Sequence, residues 1–219
     1  MTKIRYLILP IITTLLIWVL NTQISTLPPL GKFLDPFHGY LALVGSDDLN
    51  RLNIETPQLE SPVTVIFDSL RIPHIFAEND HDLYFVQGYI MASERLWQME
   101  FQTHAAGGRM SEIVGEKALG YDRFQRRVGM KFGAENSLNA IEKDQQLSPM
   151  ADAFTEGINT YIASLLEDQY PLEYKILDYA PEPWTPLKTS LLLKYMAWML
   201  TGRNTELTYT RMWNEMGQD

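Results

Sequence analysis

Between Asp82 and Met99 the apolar residues Leu83, Phe85, Val86, Tyr89, Ile90, Leu96, Trp97 and Met99 fall at helical spacing and cover more than one face. A helix apolar on several sides cannot lie on a surface; other elements have to wrap it. The segment is therefore expected to be a mostly buried helix, with Asp82 as the capping acceptor at its start and Gly107-Gly108 as its break. Upstream, Val63-Thr64-Val65-Ile66-Phe67 is β-branched and alternating, and Ile72-Pro73-His74-Ile75-Phe76-Ala77 is a second short apolar run after a turn, which predicts a strand pair. Downstream, residues 111–119 read as a short turn or helix, and residues 134–141 restart helical spacing. Ser148-Pro149 opens another helix through Phe154, Ile158, Tyr161 and Ile162 to Leu166. Pro181, Pro183 and Pro186 frame Trp184 in a rigid turn before a last apolar helix over residues 191–200, broken in polarity only by Lys194. The fold class expected is α+β, mostly helical, with a few short N-terminal strands. With strands too few to close a sheet, this polypeptide is expected to be one piece of something larger.

The beginning of the chain concerns destination. Lys3 and Arg5 precede an apolar run over residues 6–20, interrupted only by Pro10, Thr13 and Thr14. That is the pattern of an export signal, shorter than the roughly 20 apolar residues of a stand-alone span. No Ala-x-Ala cleavage pattern follows in residues 21–29, so a cleaved signal and an uncleaved anchor both stay open. Either way the body is expected to be periplasmic or secreted, held at the inner membrane by residues 6–20 in the second case. The organisation expected is a signal or anchor over 1–21, an extended spacer over 22–60 containing Pro28-Pro29 and Asp35-Pro36-Phe37-His38-Gly39, and a folded region over 61–219.

Composition removes several classes of chemistry. With 18 basic and 27 acidic side chains the net charge is −9, and no block of Lys and Arg offers a track for a nucleic-acid backbone. The absence of cysteine excludes disulfides, thiol nucleophiles and Cys-ligated clusters. No Gly-x-Ser-x-Gly or Ser-x-x-Lys occurs, and His38, His74, His81 and His104 lack zinc-type spacing. Glu78, Asp80 and Asp82 have the alternate spacing of a calcium loop, but Leu83 and Tyr89 stand where such a loop needs Gly and a bidentate Glu, so a loop and helix cap is expected. Glu100 and His104 share a helix face and read as a surface contact. Spacing alone yields no catalytic constellation.

Several runs in order resemble a known family. Pro73-His74-Ile75-Phe76-Ala77, then Gly88-Tyr89-Ile90-Met91-Ala92-Ser93-Glu94-Arg95-Leu96-Trp97-Gln98-Met99-Glu100, then Gly108-Arg109-Met110-Ser111-Glu112-Ile113-Val114-Gly115 resemble the start of the penicillin acylase (penicillin amidase) family. Gly157-Ile158-Asn159-Thr160-Tyr161 and Pro181-Glu182-Pro183-Trp184-Thr185-Pro186 continue that order, so the resemblance spans about residues 61–210. Phe67 and Arg71 depart from it, standing where many relatives have Arg and Gly, which is expected to alter a turn and not the fold.

The resemblance implies an N-terminal-nucleophile (αββα) amidohydrolase that is made as one precursor, exported, and cut by itself into a small α and a large β chain. This chain would be the α part, and its partner the β chain of the same precursor. The nucleophile would be the first residue of β, usually Ser, whose freed α-amino group accepts its proton. An α-amine ordinarily titrates at about 7.7–8.0 and so can take that proton near neutrality. No catalytic residue is then expected in this chain. Gly45-Ser46 precedes every matching run and reads as a loop, not a processing site. Two contributions follow by position: Glu206, ten residues after Met196, as one ligand of a Ca2+ ion whose other ligands lie on β, and Met196, Met199 and Leu200 as lining of the acyl-binding cavity. Relatives preferring aromatic acyl groups carry Arg and Phe where this chain has Met199 and Leu200, which points to aliphatic or fatty-acyl amides as substrates. The reading from another class is a membrane-anchored interaction module, or a decayed remnant, with no chemistry of its own.

Overall fold

The computed structural model describes residues 2–22, 29–35, 39, 51–54, 56–201 and 205–216. The Gly45-Ser46 loop, His38 and Pro28 lie outside the described residues. Two helices, α1 (Thr2–Asn21) and α2 (Gly31–Leu34), precede strands β1 (Arg51–Ile54), β2 (Val63–Phe67) and β3 (Pro73–Phe76). The rest is helical: α3 (Asp80–Gly107), α4 (Ser111–Val114), α5 (Leu119–Val128), α6 (Met130–Ile141), α7 (Leu147–Ser164), α8 (Leu172–Leu177), α9 (Pro186–Thr201) and α10 (Thr205–Met216). The apolar residues of α1 from Ile8 to Val19 are exposed. Among the described residues no helix is long and apolar enough to cross a membrane.

The strand pair is as expected, with Val65 opposite Ile75 and Phe67 opposite Pro73 in antiparallel register. A third strand comes from the segment expected to be an extended spacer, since β1 pairs antiparallel with β2, Leu52 opposite Val65. Alternation turns Val63 and Val65 inward and leaves Ile66 exposed. In the β2–β3 turn, Asp68 Oδ1 accepts from the backbone N–H groups of Leu70 and Ile72 at 2.9 and 2.8 Å. Arg71 takes a left-handed conformation there, φ 61°, the region that glycine enters without a steric cost. Its guanidinium lies 6.0 Å above the Phe67 ring and 3.2 Å from Glu94 Oε1, so the two departures from the family pattern touch each other.

Helix α3 is the axle of the molecule. It breaks helical geometry once, at Arg95 (φ −142°, ψ 19°), just after Ser93, whose hydroxyl donates to the carbonyl of Ile90. Its cap is Asn79 and not Asp82: Asn79 Oδ1 accepts from Asp82 N at 2.7 Å. Asp82 sits one turn inside, fully buried, where it accepts from Glu60 N (2.9 Å), Ser61 N (2.8 Å) and Asn79 Nδ2 (2.7 Å). Burial pushes the Asp82 carboxyl upward, but these donors outweigh it and hold the pKa below the usual carboxylate range. The expected break holds: α3 ends at Gly107, and Gly108 adopts φ 65° with its N–H on Ala105 O.

Three apolar groups lie along α3. Val63, Val65, Phe85, Val86, Ile90 and Ala153 join the sheet to α3 and α7. Ala92, Leu96, Met99, Ile158, Tyr174 and Trp184 form the second, and Ala106, Met130, Ala134 and Leu191 the third, between α3, α6 and α9. The α3–α7 crossing is close because each helix presents a glycine to the other's backbone. A Cβ on Gly88 would stand 2.2 Å from Phe154 O, and one on Gly157 1.9 Å from Phe85 O. Residues 119–128, for which no helix was expected, form α5, whose buried residues are the polar Asp122 and Gln125. Asp122 accepts from Met110 N and Ser111 N, both at 2.8 Å, and from Ser111 Oγ, which fixes the chain as it leaves Gly108. The proline-framed segment before α9 is tied down by Asn159 of α7, whose Oδ1 accepts from Trp184 N (2.7 Å) while its Nδ2 donates to Trp184 O (3.0 Å).

Candidate functional site

Met196, Met199 and Leu200 share one face of the last turns of α9, and that face is open to solvent: they are 60%, 63% and 80% exposed. The opposite side of the helix carries the packing, through Leu191, Leu187, Tyr195 and Trp198. Periodicity alone would have placed the three in the core; they are outside it. Glu206 stands in the first turn of α10 and is exposed, as are Leu207, Tyr209, Met212, Trp213 and Met216 of that helix. These helices thus leave a band of large apolar side chains uncovered, which a soluble monomer rarely does.

The densest chemistry lies elsewhere, in the second half of α3. Glu100 and His104, expected to make a surface contact, are 0% and 2% exposed. Tyr174 of α8 donates to Glu100 Oε2 at 2.7 Å, and the backbone N–H of Glu182 reaches the same oxygen at 3.2 Å, while Glu100 Oε1 is buried without a hydrogen-bond partner. His104 Nδ1 lies 3.1 Å from Glu100 O, and its Nε2 3.7 Å from Glu182 Oε1. Glu182 is held by Arg109, at 2.7 and 3.3 Å, and by Lys188 Nζ at 3.0 Å; Arg109 also grips Glu112, at 2.6 Å on Oε2.

Environment drives the two carboxyls apart. Burial pushes Glu100 above its ordinary value despite the Tyr174 hydroxyl and the field of Lys188. The Arg109 hydrogen bond, aided by Lys188 against partial burial, brings Glu182 down to about 2. Tyr174 is pushed upward, first by burial and then by the Glu100 charge.

Ligand atoms of Glu100, His104 and Glu182 come within 4.8 Å of one another, the spacing of a metal cage. The charges argue otherwise. Both oxygens of Glu182 already face cations, so a divalent ion would have to displace Arg109 and Lys188 or sit beside them. The arrangement ties α3, α8, the proline-framed segment and α9 into one polar knot, and it contains no nucleophile poised beside a base. Sequence reasoning missed Arg109, Tyr174, Glu182 and Lys188 as a network. The signal was Glu100 itself, because a carboxylate within an all-round apolar helix must find partners.

Fold and site together describe a mostly helical α+β scaffold whose densest polar cluster links α3, α8 and α9 and whose last two helices expose large apolar side chains. The profile of the penicillin amidase family matches residues 62–219, and the chain belongs to that family. It is 32% identical over 148 residues to the penicillin acylase 2 proenzyme of Pseudomonas sp. strain SE83, an alignment covering 68% of this chain and 19% of that protein. With the acyl-homoserine lactone acylase QuiP of Pseudomonas syringae pv. tomato it shares 31% identity over 143 residues, 65% of this chain and 17% of that one. The chain therefore spans about a fifth of the length of these relatives. Among solved structures, a thermostable penicillin G acylase from Alcaligenes faecalis superimposes with a TM-score of 0.59 at 26% identity, covering 70% of this chain and 81% of that chain.

Proposed function

We infer that this chain is the N-terminal, α-like portion of an exported amidohydrolase that cleaves linear amides, with the nucleophile on a β chain released from the same precursor. The observation that carries the reading is the family match over residues 62–219 in a chain that corresponds to about a fifth of its relatives' length, one of them named a proenzyme. The uncovered apolar faces of α9 and α10 support it, since a larger partner would bury them. Acyl transfer would pass through an ester on the β-chain nucleophile and end with water. Met196, Met199 and Leu200 would line the acyl side of the cleft, and their flexible, purely apolar surface suits aliphatic acyl chains. Glu206 would give one carboxylate to a Ca2+ site completed by β, because a hard cation needs six to eight oxygens and one side chain cannot supply them.

The test is expression of the whole natural reading frame followed by intact-mass measurement and a ladder of acyl amides. Two chains after maturation and preference for aliphatic acyl groups are expected, and the mass of the smaller chain decides between a cleaved signal and a retained anchor. An unprocessed product inactive on every amide would sink the reading, and a strict phenylacetyl preference would sink its specificity clause. Calcium bound by the mature protein should drop in Glu206→Gln without loss of the fold.

A further inference from the structure

A cavity of about 690 Å³ opens beside the polar knot, lined among others by Arg109, Arg126, Lys188, Pro183, Leu187 and Leu191. Its donors and acceptors do not balance. The acids on its wall, Glu112 and Glu182, are turned to Arg109 and Lys188. Arg126 spends only its Nε, on Gly108 O at 3.0 Å; Asp122, the carboxylate one turn before it, is committed to Met110 and Ser111. The terminal nitrogens of Arg126 therefore keep their donors. Lys188 is 6% exposed, and its ammonium lies near Glu182 without the alignment of a hydrogen bond and 5.7 Å over the Trp184 ring. Lys131, also on the wall, reaches only Glu135, at 3.6 Å across an exposed turn. Pro183, Leu187 and Leu191 give the same cavity apolar lining.

We propose that this cavity binds a small monocarboxylate, its anionic head on Arg126 and Lys131 beside the buried Lys188 and its short apolar body against Leu187 and Leu191. A planar guanidinium fork fits a carboxylate in a bidentate way, and Arg126 and Lys131, both exposed, are accessible to it beside the buried ammonium of Lys188. A bare oxyanion would use the cations and leave the apolar wall wet. The binding does not rest on the amidase reading. Its meaning does: a carboxylic acid is what amide hydrolysis releases, so the cavity would be a seat for product away from α9's exposed face.

The experiment is isothermal titration of the natural gene product with hexanoate, acetate and inorganic phosphate, at low and high salt. Heat of binding is read without turnover, so an inactive protein that binds hexanoate separates this inference from the amidase reading. Hexanoate is expected to saturate one site, to bind at least tenfold tighter than phosphate or acetate, and to weaken as salt rises. Arg126→Gln should weaken it at least tenfold and Lys131→Met several-fold; Lys131 is exposed, so that variant keeps the fold if the first does not. Absence of saturable hexanoate binding, equal affinity for phosphate, or unchanged affinity in Lys131→Met together with any folded Arg126→Gln protein overturns the proposal.

Discussion

Replacing Gly157 by Ala tests whether the close α3–α7 crossing governs stability. The new Cβ would stand 1.9 Å from Phe85 O and 2.8 Å from Phe85 C, and both are backbone atoms that no rotamer change can move aside. Ordinary contact begins at 3.4 Å, so the helices must part locally by about 1.5 Å. Overpacking of this kind costs about 3 kcal/mol or more, because Phe85, Val86 and Ile158 lose contact as the crossing opens. Alanine's better helix propensity returns about 1 kcal/mol, leaving a net loss of about 2 kcal/mol or more. Gly120 in α5 is the control: a Cβ there meets nothing within 4 Å, so Gly120→Ala should stabilise by up to about 1 kcal/mol. Urea unfolding of the chain, or of the gene product that contains it, reads both as shifts of the midpoint in opposite directions. Gly88→Ala should resemble Gly157→Ala, and the double variant should lose less than the two losses combined, since one separation relieves both clashes. Equal midpoints for Gly157→Ala and Gly120→Ala would refute the reasoning.

Three further outcomes follow. Arg71→Gly should leave stability unchanged or raise it by about 1 kcal/mol, the relief of a left-handed arginine exceeding the loss of an exposed ion pair to Glu94, as read by thermal unfolding. Glu182, whose pKa falls to about 2, stabilises the fold above its ordinary value of 4.5, and that contribution is lost as pH drops from there through about 2; Glu100, raised by burial, does the reverse, weakening the fold as pH climbs past 4.5. Urea midpoints across this range should therefore fall less steeply on the acid side in Glu182→Gln, where Asp82 and Asp122 still contribute, and decline less toward neutrality in Glu100→Gln, and unchanged profiles would refute both assignments. Asp122→Ala, which orphans the N–H groups of Met110 and Ser111, should cost about 2–4 kcal/mol and raise amide exchange at those two positions.

What could be read in advance was what apolar periodicity encodes: the buried α3, the strand pair, the break at Gly107-Gly108 and the mostly helical character. Helix α5 escaped because its inward residues, Asp122 and Gln125, are polar, so no apolar stripe announces it. Strand β1 escaped because its pairing with β2 is a non-local choice that its four residues do not specify. The cap was misplaced by one turn because Asn79 and Asp82 both have acceptor side chains at a helix start, and only the geometry assigns the first to capping and the second to the Glu60–Ser61 backbone. At the site, the spacing of Met196, Met199 and Leu200 fixes a shared face but cannot tell an inward face from an outward one. The Glu100 network needed partners from α8 and from residues 182–188, more than seventy positions away.

Asn159 offers the two polar atoms of its amide to the backbone of residue 184, in the manner of a neighbouring strand. A carboxylate in its place would keep the acceptor and lose the donor, so Asp is no conservative exchange at this position even though its shape is the same. Because the amide reads main chain only, the tether is indifferent to which side chain residue 184 carries. Drift at the indole would erode a hydrophobic contact while leaving the path of the chain into α9, and with it the bearing of that helix's exposed face, where it is.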